Sequence, residues 1–141
     1  MKTKKIDELI SQLEVYIENW KQIYYFINLV RDRRAQDKKQ FSLEEENQFL
    51  DVKSLIAQQL ESILAYFADG VQPIDKEEIF NVITPLSSLR VISEINEGTL
   101  RGIENQWHKI FIQLQSLLGQ LKVQRQQTGI KSFFSFFSKN K

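Results

Sequence analysis

Apolar residues recur every three or four positions in four stretches of the chain, a spacing that predicts amphipathic helices. The first stretch is the most regular and contains Ile6, Leu9, Ile10, Leu13, Tyr16, Ile17, Trp20, Ile23, Tyr24, Ile27 and Val30. The last stretch repeats the spacing with Leu100, Ile103, Trp107, Ile110, Phe111, Leu114, Leu117, Leu118 and Leu121. Each stripe has to be buried against another helix, so the pattern predicts an all-α fold.

Capping signals set the expected bounds of the first two helices. The first covers about 5–37 and the second about 43–68. Ser42 precedes the second helix and Glu45 stands three residues later, which is the pattern of a capping box. We expect the second helix to stop at Asp69-Gly70, because glycine adopts the left-handed conformation that often ends a helix.

A third helix is expected to begin after Asp75, which has the composition of an N-cap. Pro85 lies inside it, so we expect a kink or a break near Thr84. A fourth helix over about 100–127 follows a tight connection, with Thr99 as its N-cap.

Four long helices joined by short links favour antiparallel neighbours. We therefore predict an antiparallel up-down-up-down four-helix bundle over residues 1–127, followed by a short aromatic-basic C-terminal tail over residues 128–141. One long bent helix from 75 to 127 is the alternative to a hairpin, because the seven-residue apolar spacing continues across Gly98.

Composition narrows the chemistry of the chain. None of the 141 residues is cysteine, which excludes disulfides, thiolate metal sites and thiol catalysis. No apolar run approaches the roughly 18 residues needed to cross a bilayer, and acidic residues interrupt the N-terminus, so it does not have the pattern of a signal peptide. We expect a cytoplasmic protein, with a location peripheral to a membrane as the alternative.

Charge is distributed unevenly along the chain, although the net charge is only +1. Glu104 is the last acidic residue, so residues 105–141 carry six basic and no acidic side chains. Residues 1–104 carry 13 basic and 18 acidic side chains. This division indicates either an anionic partner for the C-terminal end or simply a dipolar molecule.

A basic cluster marks the end of the first helix and consists of Arg31, Arg33, Arg34, Lys38 and Lys39. In the expected bundle several glutamates share this end with the cluster, and they cancel much of its positive potential. We therefore predict a solvated end with many ion pairs. Nucleic acid is not an expected partner, because it needs an uncompensated basic stripe.

His108 is the single histidine of the chain, which is too few for a di-metal or zinc site, so we predict no metal and no cofactor. Arg101 and His108 are separated by six residues, a spacing that resembles the Arg-x(4–6)-His motif of the HEPN family of small helical bundles, which are often ribonucleases that work as dimers. The resemblance implies that His108 is a general acid or base and that Arg101 steadies a phosphate. Since Gly102 stands where that family usually has a polar residue, we favour a solvated arginine and a histidine that flanks the stripe.

The first helix carries more apolar surface than one stripe requires. Tyr25, Phe26 and Leu29 fall outside its stripe, and the segment 24–30 is apolar nearly all the way round. Either the tail or a second subunit covers this surface; we favour a second subunit and predict a homo-oligomer with these three residues in its interface.

Phenylalanine is concentrated in the tail, where four of the ten phenylalanines lie within five residues. Exposed phenyl rings promote aggregation unless something covers them. Three covers are open: the chain's own bundle or a neighbouring subunit, a groove of a partner protein, or a membrane surface. The residues that we expect to bind the partner are Ile130, Lys131, Phe133, Phe134, Phe136, Phe137 and Lys139.

The sequence therefore predicts a non-enzymatic interaction or scaffold protein that is oligomeric and docks onto a protein partner through its tail. A peripheral membrane protein that uses the tail as an amphipathic anchor is one alternative. An RNA-acting ribonuclease of the HEPN type, using Arg101 and His108, is the other.

Overall fold

The computed structural model describes residues 3–38, 40–67 and 71–139, with side chains as far as residue 127. The described chain is all-helical. Its helices are α1 (Thr3–Ala35), α2 (Leu43–Leu64), α3 (Lys76–Ile83), α4 (Leu89–Glu94) and α5 (Glu97–Lys139).

One helix, α1, organises the packing, since it contacts α2, α4 and α5, while α3 packs on α5. The order of contacts is opposite along α1 and α5: Asp7 meets Arg125, whereas Arg31 meets Glu104. The side chains that form the stripes of the sequence lie in a single core. Burial of these apolar surfaces is the main stabilising contribution.

Two of the expected caps are confirmed. The Ser42 hydroxyl accepts a hydrogen bond from the Glu45 N–H at 3.0 Å, and the Glu45 carboxylate accepts one from the Ser42 N–H at 2.9 Å. Asp75 caps α3 by accepting from the Glu77 N–H at 2.9 Å. The second helix ends earlier than expected, at Leu64, and the expected stop at Asp69-Gly70 lies outside the described residues.

The break at Pro85 is also confirmed, because α3 ends at Ile83 and the short helix α4 begins at Leu89. The expected third helix is therefore two short helices, and the alternative of one long helix from 75 to 127 is wrong. Thr99 is not the N-cap of the following helix. The carbonyl Oδ1 of Asn96 accepts from the Thr99 N–H at 2.8 Å, so α5 begins at Glu97 and Thr99 lies within its first turn.

The last helix is longer than expected. We predicted that it ends near residue 127, but α5 reaches Lys139; its 43 residues correspond to a length of about 64 Å. Because Asp7 of α1 pairs with Arg125, Thr3, the first described residue of α1, lies about one turn further, near the level of residue 129. Residues 130–139 thus continue past the level of Thr3.

Candidate functional site

Two tryptophans join α1 to α5 through reciprocal hydrogen bonds. The Trp107 Nε1–H donates to the Trp20 carbonyl at 2.8 Å, and the Trp20 Nε1–H donates to the Trp107 carbonyl at 3.2 Å. The two indoles lie nearly parallel, with 2° between their planes. Both rings are buried, so each polar N–H has the partner that burial requires.

Further rings extend this pair towards the surface. Trp107 stacks with Tyr24 at a centroid distance of 4.7 Å and with Phe111 at 5.2 Å. The imidazole of His108 meets the edge of Trp107 at 5.0 Å. We call these five residues, Trp20, Tyr24, Trp107, His108 and Phe111, the aromatic junction. It is the point where α1 and α5 are held most specifically.

Glu104 lies beside the aromatic junction and forms an ion pair with Arg31. Arg31 Nη1 donates to the Glu104 carboxylate at 2.8 Å. The hydrogen bond from Arg31 lowers the pKa of Glu104 below its ordinary value. No local pattern of residues indicates this contact, because the two partners stand 73 positions apart in the sequence.

The residues of the HEPN-like pattern both lie on the solvent side of α5. Arg101 is exposed and forms an ion pair with Glu97 at 3.5 Å, whereas the exposed His108 contacts the rings of Tyr24 and Trp107. The two side chains therefore engage different neighbours. A ribonuclease activity stays a prediction, and an RNA cleavage assay that compares the native chain with His108→Ala tests it.

The short helix α4 is held at both ends by charged side chains of other helices. At its start, the Glu46 carboxylate accepts from the Leu89 N–H at 2.6 Å. At its end, Arg34 Nη2 donates to three carbonyls, those of Ile92 (2.8 Å), Ser93 (2.7 Å) and Ile95 (2.6 Å). The negative group stands at the positive end of the helix dipole and the positive group at its negative end.

We call the cluster of Arg31, Arg33, Arg34, Glu45, Glu46, Glu97 and Glu104 the charged pole. Glu97 lies 3.1 Å from Arg31 and 3.6 Å from Arg34, while Arg33 Nη1 donates to Glu45 at 2.8 Å. The expectation of an end with many ion pairs is thus confirmed for the three arginines. Their positive charges are compensated within the chain.

Glu45 gives the charged pole a dependence on pH. Hydrogen bonds, first from the Arg33 guanidinium and then from the Ser42 backbone N–H, lower the pKa of Glu45 from 4.5 to about 2. The pKa is thus lower in the folded than in the unfolded state. The resulting stabilisation is fully present above about pH 4.5 and is lost as the pH falls towards 2.

We expect Glu45→Ala to destabilise the fold by about 1 kcal/mol at pH 7, the size of a helix N-cap contribution, because alanine removes the carboxylate that accepts from the Ser42 N–H. Solvent screens the ion pair, since about a quarter of each side chain is exposed, so the pair adds little to this figure. The difference in urea midpoint between the native chain and the variant should shrink between pH 4.5 and pH 2. Glu44→Ala in the same turn is the control; an undiminished difference at pH 2 would contradict the assignment.

Acidic residues of the N-terminal two thirds compensate the bases of α5. Lys109 pairs with Glu78 at 3.3 Å, Lys122 with Glu14 at 3.9 Å, and Arg125 with Asp7 at 2.7 Å. Folding therefore brings the two oppositely charged parts of the sequence together. As far as the side chains are described, the bases of α5 are compensated in place, which argues against both an uncompensated basic surface and a strongly dipolar molecule.

The three residues expected in an oligomer interface differ in their surroundings. Tyr25 is 59% exposed, whereas Phe26 is buried and meets the ring of Phe49 at 5.3 Å. Leu29 is partly buried against the same core. Phe26 belongs to the core because α2 covers it, so it is not part of a free surface. Tyr25 remains the exposed member of the set, and its cover by another subunit stays a prediction.

The residues expected to bind a partner, from Ile130 to Lys139, fall in the last part of α5, where only the helical backbone is described. The sequence did not predict that they continue α5. The signal available was the absence of proline after residue 85, which leaves only four glycines as residues that weaken the helix.

The described part of the chain offers neither a metal site nor a membrane span. There, no group of three or more histidine or acidic side chains is arranged to hold a metal ion. Within the same residues, no helix combines the length and the apolar character needed to cross a bilayer. Comparison with protein-family models, curated proteins and solved structures gives no significant match.

Proposed function

We propose that the protein is a non-enzymatic, oligomeric helical-bundle scaffold that docks onto a protein partner through the phenylalanine-rich end of α5. One observation carries the proposal: α5 continues past the level of Thr3, the first described residue of α1. A helix with phenylalanine at four of five consecutive positions and no α1 residue alongside requires another cover.

The bundle that presents this segment is proposed to be antiparallel. The opposite order of contacts along α1 and α5 supports this arrangement. So does the same reversal along α1 and α2, where Arg33 meets Glu45 and Asn19 meets Gln59. In this arrangement α3 and α4 together take the place of the third helix of a four-helix bundle.

The charges of the bundle support docking by the tail rather than by the charged pole. Arg31, Arg33 and Arg34 are each matched by acidic groups of the same chain. A partner attracted to this end would have to compete with ion pairs that are already formed. The apolar segment 130–139 offers instead a helical ligand whose rings fill a hydrophobic groove, a common mode of helix recognition.

Truncation after Gln127 tests the docking function. Immobilised native chain and truncated chain are compared for the proteins they retain from an extract, identified by mass spectrometry. We expect the partner to be lost on truncation, and lost equally when Phe133 and Phe137 are both replaced by serine. The matched control replaces Ser135 and Ser138 with alanine in the same segment and should retain the partner. Retention of the same partner by the truncated chain would refute tail docking.

A membrane surface is the second candidate partner. The observation that favours it is the composition of the segment after Arg125, which adds Lys131, Lys139 and Lys141 to the phenylalanines and contains no acidic residue. Aromatic rings and lysines together bind anionic lipid, weakly for a segment of this length. Sedimentation with anionic vesicles at low salt, lost at high salt, would support this function; absence of sedimentation at low salt would exclude it.

A further inference from the structure

The exposed side of α5 carries an apolar and uncharged stripe within the bundle itself. Ile112 is 66% exposed and Val123 is 53% exposed, and Ser116 and Gly119 lie between them at the same helical spacing. We call these four residues the outer face of α5. Isolated apolar residues on a surface are ordinary, but here they are aligned on one side of one helix.

No charged residue occurs between Lys109 and Lys122. Those two lysines each pair with an acidic residue of their own chain, Glu78 and Glu14. Therefore α5 itself presents neither sign of charge along its outer face, and of the two acidic residues beside Ile112 and Ser116, Asp75 and Glu78, the second is paired with Lys109. Two copies of such a surface meet without leaving a buried charge unpaired, whereas a charged partner gains nothing there.

Gly119 allows a second helix to approach closely. A Cβ at this position would meet nothing within 4 Å, so the space above the backbone is open. The same spacing continues into the end of α5. Positions 130, 134 and 137 fall on the same side of the helix as Ile112, and they are occupied by isoleucine and two phenylalanines. A continuous helix cannot fold this end back onto its own outer face, so any contact between the two belongs to different copies of the chain.

We propose that the outer face of α5 is covered by the phenylalanine-rich end of α5 from a second copy, so that two copies pair antiparallel through their last helices. This inference rests on the proposed function and names the partner of the tail. A two-fold arrangement with Gly119 opposite Val123 of the second copy also sets Ile112 opposite position 130 and His108 opposite position 134. Each stripe position then meets a stripe position, and each tail covers the bundle of the other copy.

Substitution of two exposed glycines on the same helix tests the pairing. Gly119→Glu places a carboxylate in the proposed contact, while Gly102→Glu introduces the same side chain at an equally open position away from the stripe. Glutamate favours the helix over glycine, so both single chains should fold. Sedimentation equilibrium over a concentration series gives the mass, which for one chain is 16.7 kDa.

We expect the native chain and Gly102→Glu to show the mass of two chains. The dissociation constant of the pair should rise at least about 30-fold for Gly119→Glu, and the chain truncated after Gln127 should be monomeric.

A native chain that has the mass of one chain at all concentrations overturns the second copy as partner but leaves docking onto a different protein intact. Pairing that survives Gly119→Glu but not truncation overturns the outer face as the docking surface. Pairing that survives truncation overturns the role of the tail, and equal loss in both glycine variants overturns the specificity of the face.

The register has its own test, because the chain contains no cysteine. Ile112→Cys and Ile130→Cys chains, one of them isotopically labelled, are mixed in equal amounts and oxidised. Antiparallel pairing predicts disulfides that join the two different variants. A predominance of disulfides between two identical variants would indicate a parallel pair and overturn the proposed register.

Discussion

Replacing Trp107 with alanine is expected to destabilise the fold by about 3–5 kcal/mol, the range for removing a large aromatic side chain from a core. The indole is only 3% exposed and stacks with Tyr24 and Phe111. Its N–H also donates to the Trp20 carbonyl, so the substitution removes both packing and the link between α1 and α5. This loss is a large share of the roughly 5–15 kcal/mol that stabilises a typical domain.

Urea unfolding followed by the fluorescence of Trp20, the remaining tryptophan, measures this effect. Trp107→Phe retains much of the apolar volume and should cost clearly less than alanine. Val15→Ala is the surface control, because Val15 is 52% exposed on α1, and its effect should stay within about 0.5 kcal/mol. A loss below about 1 kcal/mol for Trp107→Ala would show that the aromatic junction does not hold the two helices together.

Arg34→Met is expected to destabilise the fold by about 2–3 kcal/mol. This is a large effect for a polar residue in the last turn of a helix, here α1. The guanidinium donates to the carbonyls of Ile92, Ser93 and Ile95, which end α4. Methionine retains the apolar stem but leaves these carbonyls without their charged donor. Hydrogen bonds to charged groups contribute about 1.5–3 kcal/mol, and buried acceptors that lose them are costly.

Arg101→Met is the matched control for this prediction, since Arg101 is an exposed arginine whose ion pair with Glu97 should contribute little. Arg34→Lys should give an intermediate loss, because lysine keeps the charge but its ammonium nitrogen lies one bond closer to the backbone than Nη2, the nitrogen that donates to all three carbonyls. Chemical denaturation of the three variants provides the comparison. Equal stability of Arg34→Met and Arg101→Met would show that the three carbonyls do not depend on Arg34.

Local signals in the sequence predicted the helices well, and the reason is the short range of the interactions that start and stop them. The capping box of Ser42 and Glu45 spans four residues, and Asp75 caps the helix that follows it directly. The break at Pro85 follows from a missing N–H and a ring that clashes with the preceding turn. Thr99 was the wrong cap because Asn96, three residues earlier, has an equally suitable side chain and is nearer the end of α4.

Contacts between distant residues were not predictable in the same way. Nothing around Glu46 or Arg34 indicates that they hold opposite ends of α4, 43 and about 60 positions away. Phe26 was assigned to a subunit interface because the stripe alone does not show that α2 covers a second side of α1. The candidate site was predicted even less completely: the pattern singled out Arg101 and His108, but not the pairing of Glu104 with Arg31.

The periodicity of apolar residues determined by itself that this chain is all-helical, because an amphipathic stripe is stable only when it is buried. The tertiary structure alone decided which charges are neutralised and which side of α5 remains exposed. Ion pairs such as Arg125 with Asp7, and the open space at Gly119, depend on how helices that are distant in sequence are placed side by side. That placement results from the packing of whole side-chain surfaces, which no local pattern of residues contains.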